Sequence, residues 1–120
     1  MKKDNLNKYS HLTKQILALH FSGAYITNKE FVEIGRNIGI EIDLADREKV
    51  FKNILSKAIE QKKEEDFFSE ISKLLKKRFD EYKKLSNEFP NSKEIIHVWM
   101  QKLKSIDMLI RQRARMNVYE

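Results

Sequence analysis

Apolar residues recur every three or four positions along almost the whole chain, the spacing of amphipathic helices and not the alternation of strands. The first stripe is Leu6, Tyr9, Leu12, Ile16 and Leu19, which predicts a helix over about residues 4–22. Gly23 can end that helix, because glycine accepts the left-handed C′ conformation without a Cβ clash. A strong start signal follows. Thr27 and Glu30 have the spacing of a capping box, and Ile26 and Phe31 hold the two positions of a hydrophobic staple. Phe31, Ile34 and Ile38 then share a face, Gly39 falls at the next C′ position, and Ile40 can fold back onto Ile34.

Ile40, Glu41 and Ile42 alternate like a strand but over three residues only. Asp43 and Asp46 offer an N-cap and negative charge for a third helix, whose broad apolar face is Val50, Phe51, Ile54, Leu55, Ala58 and Ile59. Residues 60–66 hold no apolar side chain, no glycine and no proline. They predict either a connection in which Asp66 caps a new helix, or one turn of a single long helix spanning about 44–88. The break is preferred, since the long form would run about 66 Å and suit an extended dimer better than a compact monomer. The fourth stripe is Phe67, Phe68, Ile71, Leu74, Leu75, Phe79, Tyr82 and Leu85. Pro90 disfavours helix at Phe89. Asn91 and Glu94 repeat the capping-box spacing ahead of Ile95, Trp99, Leu103, Ile106 and Ile110, a stripe widened by Ile96 and Val98. The fold class expected is all-α: one domain over residues 1–120, a bundle of four or five helices.

Composition supports this reading. The 120 residues include only three glycines and one proline, too few for the turns of an all-β fold. The absence of cysteine excludes disulfides, thiolate catalysis and Cys-ligated zinc. No apolar run reaches transmembrane length. Lys2 and Lys3 open the chain as a signal peptide would, but Asp4, Asn5, Asn7 and Lys8 occupy the place of its apolar core, so a cytoplasmic protein is expected.

The net charge of +6 is uneven. Residues 26–48 carry three basic and six acidic groups, whereas the segments 1–25, 49–89 and 90–120 each carry an excess of three basic groups. A basic chain invites a helix-turn-helix reading, and Ile34, Gly35, Ile38, Gly39 and Ile40 fit its turn. The reading fails on the next helix, where Glu41, Asp43, Asp46 and Glu48 would meet phosphates, and Arg47 alone does not rescue it. Glu94 and His97 form a Glu-x-x-His pair, but a di-iron bundle needs two, and neither His11 nor His20 supplies the second. No calcium loop, phosphate-binding glycine loop or nucleophile motif is present. No cofactor and no catalytic residue is therefore expected.

Two features remain. Wide apolar faces on the third and fourth helices, including Phe67 and Phe68, serve either as bundle centre or as partner surface, and Trp99 is the sole tryptophan. Three of the six arginines, Arg111, Arg113 and Arg115, crowd the C-terminus. They can contact phosphate or an acidic partner, complement a helix dipole, or pair with the chain's own acidic segment at 41–48. The expected function is a non-enzymatic protein-interaction module (adaptor, chaperone-like factor or regulatory subunit) whose partner is another protein or a second copy in a homodimer. Its candidate contacts are Phe67, Phe68, Trp99, Arg111, Arg113 and Arg115. The alternative is a nucleic-acid-binding protein using Lys73, Lys76, Lys77, Arg78, Arg111 and Arg115 on basic helix faces.

Overall fold

A computed structural model describes residues 9–19 and 25–119, with the backbone alone for 113–119. The described chain is all-helical: α1 Ser10–Leu17, α2 Asn28–Asn37, α3 Arg47–Glu60, α4 Glu64–Glu88 and α5 Lys93–Tyr119, with a 3₁₀ turn at Pro90–Ser92. It forms a helical bundle, as the periodicity predicts. The expected first helix is seen as α1, whose Leu12 and Ile16 are buried with the flanking Tyr9 and Leu19. Leu6 and Gly23 lie outside the described residues.

The local signals of α2 are realised. The Thr27 hydroxyl accepts from the Glu30 N–H at 3.1 Å, and the Glu30 carboxylate accepts from the Thr27 N–H at 3.0 Å. At the other end the Ile40 N–H reaches the Gly35 carbonyl at 2.8 Å and the Gly39 N–H reaches Arg36 at 3.0 Å. That is the Schellman pair, and it places Gly39 at φ +81°. Gly35 has a different reason to be glycine. A Cβ there would stand 3.0 Å from the Ile40 carbonyl oxygen and 3.2 Å from Ile54 Cδ1, tight contacts that would make the turn or the Ile54 side chain give by a few tenths of an ångström. Asp46 caps α3 by accepting from the Lys49 N–H at 3.0 Å.

The chain breaks at residues 61–63, and the long-helix option is ruled out. Asp66 is not the cap: Lys63 precedes α4 without a side-chain cap bond, and Asp66 sits with Glu64 and Glu65 in the first turn, where negative charge favours the helix N-terminus. The break is a second Schellman turn, with Lys63 N–H to Ala58 carbonyl at 2.7 Å and Lys62 N–H to Ile59 at 3.2 Å. It forces Lys62 to φ +58°, the left-handed conformation that a Cβ disfavours. Lys62→Gly is therefore expected to stabilise the protein by roughly 0.5–1 kcal/mol. Gly39→Ala imposes the reverse substitution on the equivalent turn and is expected to destabilise. Urea midpoints of the two variants, moving in opposite directions, check this.

The expected Asn91–Glu94 capping box does not form. Phe89 is the cap, Pro90 opens a 3₁₀ turn, and no side-chain cap bond is made. Proline's fixed φ suits that first position, so the chain enters α5 through the 3₁₀ turn instead.

The core is built on a relay of aromatic rings. Phe31 of α2 meets Phe51 of α3 edge-on at 5.2 Å, Phe51 meets Phe67 of α4 at 5.2 Å, Phe67 meets Phe68 at 5.3 Å, and Phe68 meets Tyr9 beside α1 at 5.0 Å. Phe67 and Phe68 are completely buried in it, so they belong to the core and are not partner contacts. Their adjacency gives α4 a face wide enough to meet α3 and α1 together.

Candidate interaction surface

The long α4–α5 hairpin is the frame on which the other helices sit. Its 25 and 27 residues span about 37 and 40 Å, against 8, 10 and 14 residues for α1, α2 and α3. The hairpin is antiparallel: the Ser72 hydroxyl donates to the Asp107 carboxylate, and ten residues on, Tyr82 packs against Trp99 with ring centroids 5.5 Å apart. Helix α2 also runs antiparallel to α4. Asn37 bonds Glu70 at 3.3 Å, and Arg78 bonds Glu30 at 2.6 Å. Past Arg78, α4 continues for ten residues to Glu88.

The apolar faces of the hairpin continue over that extension. Residues eleven apart on a helix are separated by three turns and share a face. On α4, Leu74 packs against the core, and Leu85, three turns on, is 40% exposed. Arg78 is engaged by Glu30, and Phe89, three turns on, is 56% exposed. On α5, Ile106 is buried and Leu109 packs against the core, whereas Ile95 and Val98, three turns back, are 53% and 57% exposed. Ile95 and Val98 were expected in a buried stripe. They are uncovered because α1–α3 are too short to reach that end of the hairpin. The buried α5 stripe runs instead through Ile96, Leu103, Ile106 and Ile110. Trp99, on the edge of this end, is half-buried against Tyr82.

This exposed end is electrically balanced. Between Phe79 and Lys102 the acids Asp80, Glu81, Glu88 and Glu94 match the bases Lys83, Lys84, Lys93 and Lys102 in number, although the chain as a whole carries +6.

The proposed nucleic-acid set is brought together only in part. Arg78 is held by Glu30 and half-buried, so it does not belong to a solvent-facing basic stripe. Burial alone would raise the Glu30 carboxyl, but the Thr27 N–H and the Arg78 guanidinium outweigh it and hold it below the usual value. A depressed carboxyl contributes stability above its unfolded pKa and loses it as pH falls through the folded one. The deficit of Glu30→Gln relative to the native chain is therefore expected to shrink below about pH 4, as urea titrations at pH 7 and pH 3 check. Lys73, Lys76 and Arg111 line one groove between α4 and α5, and Lys77 is not among its lining residues. Arg111 pairs with Asp107 of its own helix at 3.0 Å, and not with the acidic segment at 41–48. The side chains of Arg113 and Arg115 lie outside the described residues. Arg47 donates to the carbonyls of Ile26 at 2.5 Å and Leu17 at 2.6 Å and lies 4.4 Å over the Tyr25 ring.

Among the described residues no three His, Asp or Glu side chains cluster as a metal would require. His97 contacts Gln101. The perturbed tyrosines move away from neutrality: burial, then the Glu64 charge, pushes Tyr9 up to about 12, and burial raises Tyr82. No helix among the described residues is long and apolar enough to cross a membrane. No family model, curated protein or solved structure matches this chain.

Proposed function

We propose that the protein is a non-enzymatic interaction module that self-associates through the free end of its α4–α5 hairpin. The observation that carries this reading is the uncovered set Leu85, Phe89, Ile95 and Val98, all within two to three turns of Pro90. Isolated apolar residues on a surface are ordinary, and Tyr25, Leu44 and Met108 are of that kind. Four large side chains at one end of one hairpin are a concentration that water disfavours and a partner relieves. The charge balance between Phe79 and Lys102 favours a second copy as that partner, since two such ends meet without net repulsion. The resulting interface is two-fold, with as many Asp and Glu side chains on one copy as Lys on the other. The perturbed tyrosines and Glu30 lie away from neutrality, where general acid–base chemistry has little use for them.

The native chain has no cysteine, so single-cysteine variants report on the interface directly. Val98→Cys is expected to give a disulfide-linked dimer under mild oxidation, and Met108→Cys, equally exposed but on the body of the hairpin, is not. Equal crosslinking of both variants, or of neither, argues against this interface.

A further inference from the structure

We infer that the groove along the opposite side of the α4–α5 hairpin binds an acidic amphipathic helix of another protein. The inference rests on the reading of the chain as an interaction module, but it uses a different face. Two adjoining cavities, of about 400 and 270 Å³, line up between the helices and share Lys76 and Arg111. The second has an apolar floor of Leu75, Phe79 and Leu103. Lys76, Lys104 and Arg111 border this second cavity, and Lys73, paired with Glu70, borders the first.

The charge pattern selects the occupant. Lys76 and Lys104 border one cavity, and neither makes an ion pair or hydrogen bond among the described residues. Like charges across a shared groove repel unless an anion lies between them. Asp107, the acid in the middle, is already engaged by the Ser72 hydroxyl and by Arg111 Nε. Arg111 keeps its other N–H groups for a carboxylate, which its planar fork matches. An apolar floor between basic rims is the complement of a helix with an apolar stripe flanked by Glu or Asp. A nucleic-acid strand fits less well, because the apolar floor of Leu75, Phe79 and Leu103 offers its phosphates no donor between the basic rims. From Glu65 to Phe79 the groove is about 21 Å long, which corresponds to roughly 14 residues of bound helix.

The test uses the full chain carrying Ile95→Glu/Val98→Glu, which disrupts the self-association surface and keeps the two readings separable. The probe is a fluorescein-labelled synthetic peptide of about 15 residues, with leucines at helical i, i+3, i+4 and i+7 spacing and glutamates elsewhere. Anisotropy is expected to show saturable binding that weakens with salt, at least tenfold weaker for Lys76→Glu/Lys104→Glu. Both lysines are exposed, so that variant keeps its fold, as circular dichroism checks. The same peptide with lysine in place of glutamate is expected not to bind. The inference is overturned by absence of binding, by equal binding to the charge-reversed variant, or by a labelled DNA oligonucleotide binding in place of the peptide.

Discussion

Phe51→Ala is expected to cost about 3–5 kcal/mol of stability, a large share of what a domain of this size has. Phe51 is completely buried and stands between Phe31 and Phe67, so its ring joins α2 and α3 to the long hairpin. Truncation removes two aromatic contacts and leaves a cavity among side chains that are themselves fully enclosed, with little freedom to collapse into it. For 120 residues the loss corresponds to a fall in Tm of roughly 12–20 °C, readable by calorimetry. Phe51→Leu keeps most of the volume and is expected to cost less than half as much. A loss below about 1 kcal/mol for the alanine variant would mean that the aromatic relay does not hold the helices together.

The second large effect is expected at Arg47. Its guanidinium donates to two backbone carbonyls, at Leu17 and Ile26, from residues 30 and 21 positions away in sequence. It also covers the Tyr25 ring at 4.4 Å and lies 5.6 Å from the centre of Phe31. One side chain thus ties the end of α1 and the entry to α2 onto the first turn of α3. Hydrogen bonds from a charged donor contribute about 1.5–3 kcal/mol each, and carbonyls stripped of a donor are partly rehydrated, so Arg47→Ala is expected to cost roughly 3 kcal/mol. Burial lowers the Arg47 pKa, but arginine starts so high that the group stays charged. Lysine keeps the charge but not the fork, so Arg47→Lys is expected to recover less than half of the loss in urea unfolding.

Arg47 also shows where a linear reading of the chain stops. The sequence pattern around it argues against a DNA-reading helix, and this needs only the neighbouring Asp and Glu residues. That the guanidinium reaches back to Leu17 and Ile26 depends on how α1 and α3 cross, which no local spacing encodes. The capping box at Thr27 and the glycine stop at Gly39 were legible because each involves residues within five positions of one another, whereas the third helix is capped by Asp46 and not by Asp43, which the sequence offered first. The turn at Lys62 was not, because lysine there adopts the left-handed conformation that its Cβ disfavours, at the position where the equivalent turn has Gly39.

The candidate surface was legible in part. A wide apolar face can be read from the sequence, but its coverage cannot, since coverage depends on the length of the neighbouring helices. Phe67 and Phe68 therefore read as partner residues and are core, while Ile95 and Val98 read as core and are exposed. The eleven-residue repeat from Leu74 to Leu85 and from Ile106 back to Ile95 is present in the sequence. It acquires meaning only once Arg78 and Glu30 show where α2 ends against α4.

Light scattering coupled to gel filtration tests the central claim most directly. The native chain, of 14.4 kDa, is expected to elute at twice that mass at concentrations of tens of micromolar, and Ile95→Glu/Val98→Glu at the monomer mass with unchanged helicity. A native chain that stays monomeric as its concentration is raised, or a double variant that remains dimeric, would contradict the account.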